Sequence, residues 1–399
     1  MIYSRFQDLN LSRLGFGTMR LPVIEPQKTI DEEKALALVD YAYNHGVNYF
    51  DTAYFYHSCK SEPFIGKALS AYPRDTWYLA TKMPGNIMDV KDGAITLDLS
   101  GFKLGTATFS SLEGIFEQQL DRCGVDYFDF YLAHNLTEST YELYTDEKIG
   151  IVDYLLAQKK AGRIRHLGFS AHGRPETIDR FLSRYDCFEY AQIQLNYLDW
   201  TLQDAGKKYD IITKHGLPVI VMEPTRGGKL AKLGDAGAAI LKAERPDDTA
   251  ASWAFRFIQA LPDVPVVLSG MTAMEHLVEN IEIFSKDDPM PASEKAALQK
   301  VVETMADFVP CTACRYCCAA CPQRLDIPML ISTYNEASYD KKTISRLSWG
   351  VIDLLDGLID SEKPQSCIAC GACTPLCPQN IDIPDTMKKF SALLDNQDK

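Results

Sequence analysis

The stretch IVDYLLAQKKAGRIRHLGFSAHGRPETIDRFLSRYDCFEYAQIQLN, residues 151–196, decides the fold. Residues 151–161 and 175–184 read as helices, and Gly162 signs the stop of the first. Residues 164–170 and 190–196 are short apolar runs, which suits strands buried on both faces. Helix, strand, helix, strand at this spacing is the pattern of a parallel sheet with its crossovers.

The theme extends outward in both directions. Further apolar runs cover residues 14–18, 47–52, 77–82, 127–134, 218–223 and 265–270. Helical segments include 31–45, 110–122, 247–259 and 273–283, and Gly46, Gly124 and Gly216 sign further stops. Eight strands, seven helices between them and an eighth after the last predict an α/β fold, a (β/α)8 TIM barrel. A doubly wound open sheet is the alternative, but the first strand lacks a G-x-G-x-x-G turn and eight regular repeats favour closure. Residues 1–9 read as a hairpin plugging the barrel bottom. Residues 86–109 read as a long loop after the third strand with a functional or lid role.

A chain of 399 residues exceeds one such barrel of ~250 residues and leaves room for an appendage. We divide it into a barrel at 1–285, a linker and helix at 286–310, and a second domain at 311–399. The formal charge of −13 argues against nucleic acid and anionic membrane as partners. No apolar run approaches the ~18 residues of a membrane span, and residues 1–20 do not read as a signal peptide. All of the 12 cysteines but Cys59, Cys123 and Cys187 fall between residues 311 and 377. In a long chain without a leader, that crowding reads as metal ligation in a cytoplasmic protein.

The crowding resolves into two runs. Cys311, Cys314, Cys317 and Cys321-Pro322 form C-x2-C-x2-C-x3-C-P, and Cys367, Cys370, Cys373 and Cys377-Pro378 repeat it. This is the bacterial ferredoxin run, in which the fourth cysteine ligates the other cluster. The expected ligand sets are therefore Cys311, Cys314, Cys317 and Cys377 for one [4Fe–4S] cluster, and Cys367, Cys370, Cys373 and Cys321 for the other. Structural zinc, the alternative, uses paired C-x2-C with four ligands in all. Cys318 fits neither set. The segment 326–363 looks helical, and its length resembles the α-helical ferredoxin domains of respiratory and heterodisulfide-type reductases.

Barrel chemistry sits where strands end. Strands two, three, four and five end at Asp51, Lys82, His134 and Ser170; strands six, seven and eight carry Gln192, Glu223 and Ser269. With Tyr56 just past strand two, Asp51, Tyr56, Lys82 and His134 converge on one mouth. His57 beside Tyr56 reads as a loop residue, and Cys59 has no base implied beside it.

The segments Phe50-Asp51-Thr52-Ala53-Tyr54-Phe55-Tyr56, Ala80-Thr81-Lys82 and Tyr131-Leu132-Ala133-His134-Asn135 resemble the catalytic tetrad segments of the aldo/keto reductases. Leu14-Gly15-Phe16-Gly17-Thr18-Met19 and Gly168-Phe169-Ser170 also match, so the resemblance covers about residues 1–285. With its tail, the whole chain is similar to the aldo/keto reductase subfamily carrying a C-terminal dicluster ferredoxin domain. The resemblance implies carbonyl reduction by hydride from NADP or NAD, with Tyr56 as general acid, Lys82 lowering its pKa, Asp51 holding Lys82 and His134 orienting the carbonyl. It further implies that Gly17, Thr18, Met19, Asp51, Met222 and Glu223 lie along the cofactor, with Ser170 and Gln192 on the carboxamide. Thr225, Gly227, Gly228, Ser269, Gly270 and Met271 would cradle the pyrophosphate, and Glu279 and Asn280 would face the adenine.

Three departures stand out. Ala171 follows the strand-five serine where the family has Asn, and Met222 replaces a stacking aromatic. Ser269-Gly270 and His276 stand where a Lys-Ser and an Arg would grip a 2′-phosphate, which leaves NADH and NADPH both open. Three functions are weighed: a reductase of a small carbonyl or alcohol; an electron-transfer enzyme with a ferredoxin or flavoprotein partner; and a redox-sensing subunit that binds nicotinamide. Nicotinamide moves two electrons and each cluster one, so the second needs a splitting step. The residues 86–109 and 135–148 are expected to line the substrate pocket.

Overall fold

Leu14–Gly17 (β1), Tyr49–Asp51 (β2), Tyr78–Met83 (β3), Phe128–Leu136 (β4), Ile164–Ala171 (β5), Tyr190–Gln194 (β6), Val219–Met222 (β7) and Val267–Ser269 (β8) close into a barrel. Each strand is parallel to both neighbours, as expected of apolar runs buried on both faces. This computed structural model describes all residues but 92, 101–103, 139, 306–308, 310, 312–314, 345–354, 356–357, 378 and 396–399; at 86, 201–202, 336 and 339–344 it describes the backbone alone. The described residues group into two compact units: Met1–Gly227 with Ala254–Met290, and Gly228–Trp253 with Pro291–Lys399.

In the first unit a helix follows nearly every strand, and local chemistry sets their ends. Asp31 caps Glu32–Asn44 by accepting the Lys34 N–H, and Ser111 caps Leu112–Cys123 through the Gly114 N–H. Gly124 ends the latter helix at φ 62°, the left-handed conformation glycine adopts freely. Helices Ser61–Leu69 and Ala205–Lys214, less legible in the sequence, complete the outer layer. Gly66 is the hinge of one close contact: a Cβ there would lie 2.1 Å from the Cys123 carbonyl oxygen, so only glycine lets Ser61–Leu69 press onto Leu112–Cys123.

The expected hairpin is Tyr3–Phe6 paired antiparallel with Leu9–Ser12. Its Phe6 and Leu11 are buried with Tyr49, Phe130, Tyr190 and Leu268, so the hairpin closes the barrel floor with aromatic packing. The long loop expected at 86–109 is instead a three-stranded antiparallel sheet of Met88–Lys91, Ala94–Asp98 and Thr106–Phe109. Ile95, Leu97 and Leu99 are buried and alternate with Thr96 and Asp98, a period of two that makes one face of a sheet.

The second unit is mainly helical. Gly237 brings helix Asp235–Glu244 close to Val301 of helix Ala292–Thr304, and Arg245 pairs with Glu294 at 3.2 Å. Helices Ile327–Ile344 and Ile383–Asp395 then build a small core in which Leu330, Ile331, Ile383, Met387 and Phe390 pack with Cys317 and Cys373. The helix expected over 326–363 ends before its last residues. Residues 345–354 and 356–357 lie outside the described residues, Asp360–Glu362 is one 3-10 turn, and Lys363 is extended because Pro364 follows it.

Candidate active site and cluster-binding cysteines

Asp51 ends β2 and Lys82 lies near the end of β3, the strand beside it; Asp51 is level with Ala80, two residues before Lys82. Lys82 is 1 % exposed, and its ammonium donates to Asp51 Oδ1 at 2.7 Å and to the Thr52 carbonyl at 2.7 Å. Burial pushes Asp51 up and Lys82 down, and the attraction between the two opposes both effects. Two of the three ammonium hydrogens are thus committed, and Nζ stands 5.1 Å from the centre of the Tyr56 ring.

Tyr56 is fixed by the turn that follows it. His57, Ser58 and Cys59 take φ values of 49°, 53° and 64° in succession, a left-handed run that side chains other than glycine adopt at a cost. The Lys60 and Ser61 N–H groups both donate to the Tyr56 carbonyl. Tyr56 is half-buried. Burial pushes its phenol well up, and the Asp51 and Glu223 carboxylates add to that. Lys82, the group expected to oppose this rise, is itself paired with Asp51 at 2.7 Å. His57 is structural: its Nε2 accepts the Leu21 N–H at 3.2 Å. Burial likewise pushes the Cys59 thiol up, away from a reactive thiolate.

His134 ends the regular part of β4, before a register shift at Asn135, which is left-handed at φ 62°. Its ring stacks on Phe55 at 5.2 Å and meets Tyr56 edge-on at 6.4 Å. The Tyr144 hydroxyl donates to the His134 carbonyl at 2.6 Å. Burial holds the imidazole far below its ordinary pKa, helped by the charges of Lys82 and His172, so it is neutral near pH 7. Phe55 and Tyr144 were missed as supports of His134. The aromatic beside Tyr56 was in plain view, but nothing local signals that Tyr144 folds back.

Ser170 and Gln192 are level on neighbouring strands. Ser170 Oγ accepts the Asn135 N–H at 2.8 Å, which leaves its own O–H to donate. Gln192 is buried; its Nε2 faces Met222 Sδ at 3.8 Å, and its Oε1 has no partner among the described residues. A carboxamide asks for one donor and one acceptor, and this pair offers both. Glu223 takes φ 54° and meets Arg20 at 3.3 Å; Arg226 and Gly227 also have positive φ, so the chain around Thr225 curls back on itself. At Gly270 a Cβ would lie 2.9 Å from Arg20 Cβ. Met271 is buried, and Asn280 donates to Ser269 Oγ at 3.0 Å. Thr18 is buried and bonded to the Asp51 carbonyl, Met19 is 55 % exposed, and Gly17 is level with Asp51. Glu279 belongs to helix Met274–Ile283, and Gly228 is the first residue of the second unit.

The cysteines ring two cavities in the second unit. One is lined by Cys311, Cys317 and Cys377 with Arg315, Ile331 and Ile381; Cys314 lies outside the described residues. The other is lined by Cys321, Cys367, Cys370 and Cys373 with Leu325, Ile368 and Met387. Ile383 lines both. Each cavity thus takes its fourth cysteine from the other run. No three His, Cys, Asp or Glu side chains among the described residues are placed to hold a single metal ion. Cys318 lines neither cavity. The repeat also runs further than the cysteines. Cys321-Pro-Gln-Arg-Leu-Asp-Ile-Pro328 is matched by Cys377-Pro-Gln-Asn-Ile-Asp-Ile-Pro384, with Arg324 and Asn380 both left-handed and Asp326 and Asp382 each capping the helix that follows.

A family model for the aldo/keto reductase family matches residues 13–303, and one for a 4Fe-4S dicluster domain matches residues 310–381. The chain is 26 % identical over 296 residues to the uncharacterized oxidoreductase YqkF of Bacillus subtilis (strain 168), which covers 69 % of this chain and 88 % of that protein. It is 25 % identical over 223 residues to the probable aldo-keto reductase 1 of Glycine max, covering 56 % of this chain but only 58 % of the length of that relative. Among solved structures, the holo form of aldo-keto reductase AKR11C1 from Bacillus halodurans is similar, with a TM-score of 0.59 at 25 % identity over 75 % of this chain and 96 % of that one. No helix among the described residues is long and apolar enough to cross a membrane. A closed barrel with these groups at its mouth, matched by the family model over residues 13–303, places the chain in the aldo/keto reductase family, with a 4Fe-4S dicluster domain on its C-terminal side.

Proposed function

We propose that the barrel reduces a small carbonyl compound with hydride from NADH or NADPH, Tyr56 supplying the proton, and that residues 311–377 hold two [4Fe–4S] clusters. The observation that carries the reading is the buried Asp51–Lys82 pair set beneath Tyr56 with a neutral His134 beside it. A carbonyl that accepts hydride becomes an alkoxide, a stronger base than phenolate, so a phenol held in its protonated form is a competent donor. The neutral imidazole offers an N–H to the carbonyl oxygen without competing as an acid. Lys82, two of its hydrogens committed, has a third to give toward Tyr56 and so stabilises the phenolate as the proton leaves. The nicotinamide, when bound, supplies the hydride; the Ser170 hydroxyl and the Gln192 oxygen suit its carboxamide.

The direction of the shifts predicts the pH dependence. Tyr56 is raised, so it stays protonated through the ordinary tyrosine value of about 10, and His134 is lowered, so it stays neutral through the ordinary value of about 6.5. Aldehyde reduction at saturating nucleotide should therefore be level across the usual histidine range and should not fall as pH rises toward 9. Alcohol oxidation, which needs the phenolate, should rise steadily over that interval. Steady-state assays with both nucleotides decide this; an acid limb in reduction near pH 6.5 would contradict a neutral His134.

Tyr144→Phe should lower kcat roughly fivefold, because a lost hydrogen bond costs about 1 kcal/mol and His134 is left unbuttressed. The Michaelis constant for the nucleotide should not move. Wild-type turnover in that variant would mean that His134 keeps its place without the bond.

One observation supports an electron-transfer role for the second unit. Cys370 is exposed and Ile368 beside it is 60 % exposed, so the rim of the second cavity is open to a ferredoxin or flavoprotein partner. Anaerobic addition of NADH or NADPH to the cluster-loaded protein tests it: bleaching of the iron–sulfur absorbance without added flavin would mean that hydride is split within this chain.

A further inference from the structure

Glu62 is a carboxylate with no exposed surface, on the helix Ser61–Leu69 that follows the Tyr56 turn. Thr81 Oγ1 donates to its Oε1 at 2.8 Å and Gln119 Nε2 at 2.6 Å, while Arg122 Nη1 reaches Oε2 at 3.3 Å. The Tyr131 hydroxyl donates to Gln119 Oε1 at 2.5 Å, which turns the amide nitrogen inward. That nitrogen also donates to the Lys82 carbonyl at 3.1 Å. Burial pushes the Glu62 carboxyl up, and the Gln119, Thr81 and Arg122 donors oppose that rise; donors on both oxygens suit the ionised form.

The placement gives the network its meaning. Thr81 and Lys82 are consecutive on β3, so their side chains leave opposite faces of the strand. Lys82 points to the Asp51–Tyr56 side; Thr81 points to the helical layer, where Glu62 waits. An ionised group that deep is unfavourable unless its partners compensate it, and those partners converge on the one strand that carries the ammonium.

We propose that Glu62 is a positioning residue for Lys82: through Gln119 and Thr81 it fixes the backbone of β3 from outside, with its charge across the strand from the ammonium. The inference deepens the reductase reading and rests on it. Burial lowers the Lys82 ammonium, and Glu62 acts with Asp51 in the opposite sense. Lys82 is otherwise faced by Tyr56 from the turn and by His134 from β4. Glu62 is faced by Arg122, with Tyr54, Cys59, Cys123 and Tyr131 near enough to feel its charge.

Glu62→Gln keeps the size and removes the charge; Glu62→Asp keeps the charge. In Glu62→Gln the alkaline limb of kcat/KM for aldehyde reduction should move down by about one pH unit, and kcat near neutrality should fall about tenfold. Nucleotide affinity should hold within about twofold, and Glu62→Asp should leave the limb in its wild-type position. A second readout needs no turnover: the Nζ resonance in 15N spectra, assigned by its loss in Lys82→Met, should titrate about one pH unit lower in Glu62→Gln. Coincident titrations in wild type and Glu62→Gln overturn the proposal. If wild type reduces no aldehyde with either nucleotide, the reductase reading falls while the Nζ titration still judges Glu62. Should Glu62→Gln not fold, Gln119→Leu cuts the link to the Lys82 carbonyl and should lower kcat about tenfold with the nucleotide constant unmoved; wild-type kcat there also overturns it.

Discussion

Tyr56→Phe should lower kcat for aldehyde reduction by about 10³-fold, the range in which a positioned general acid contributes, equivalent to roughly 4 kcal/mol of barrier. The change removes a single oxygen. The ring keeps its edge contact with His134 at 6.4 Å and its place 5.1 Å from the Lys82 ammonium, so the mouth is not rebuilt. Nucleotide affinity, followed by fluorescence titration, should therefore stay within about twofold while turnover collapses. Turnover within tenfold of wild type would remove Tyr56 from the reaction. Lys82→Met is a poorer probe of the same chemistry. It strands a buried Asp51 carboxylate, whose Oδ2 has no partner among the described residues, and breaking a buried pair costs about 3–5 kcal/mol of stability. A loss of activity there would mix catalysis with folding; the loss in Tyr56→Phe does not.

The parts of this architecture legible in the sequence are those with local causes. Strands β1 to β8 lie within two or three residues of the apolar runs, because burial on both faces demands continuous apolar stretches and left-handed glycines end the helices between them. The four groups at the mouth could be found because a barrel puts its chemistry at strand ends, so Asp51, Lys82 and His134 announce themselves by position. The sheet at residues 88–109 was hidden by scale. Its strands are four or five residues long, and Ile95, Leu97 and Leu99 give too few alternations to stand out from a loop. Glu62 was invisible for another reason: an acidic residue in a short amphipathic helix reads as solvated, and its burial depends on Gln119, 57 positions away.

Replacing cysteines one at a time should expose the crossing of the two runs. Cys321→Ser and Cys373→Ser should leave the same residual cluster, although their cysteines belong to different runs, because both line the second cavity. Cys377→Ser and Cys311→Ser should share the other, since both line the first. Wild type should hold about eight iron atoms per chain and no zinc, and each variant about four. The two residual clusters should be distinguishable by electron paramagnetic resonance after reduction. Arg315 lines the first cavity and Gly371, at the same place in the second run, lines the second; net charge and exposure are among the factors that set a cluster's potential. If Cys321→Ser instead matched Cys311→Ser, each run would hold its own cluster and the crossed ligand sets would be wrong. If every variant lost all of its iron, the shared wall at Ile383 would be too thin for one cavity to survive the emptying of the other, and the pairing would have to be read from partial occupancy at low temperature. Zinc in place of iron would end the electron-transfer reading, because zinc has no redox chemistry to offer a partner at the exposed rim by Cys370.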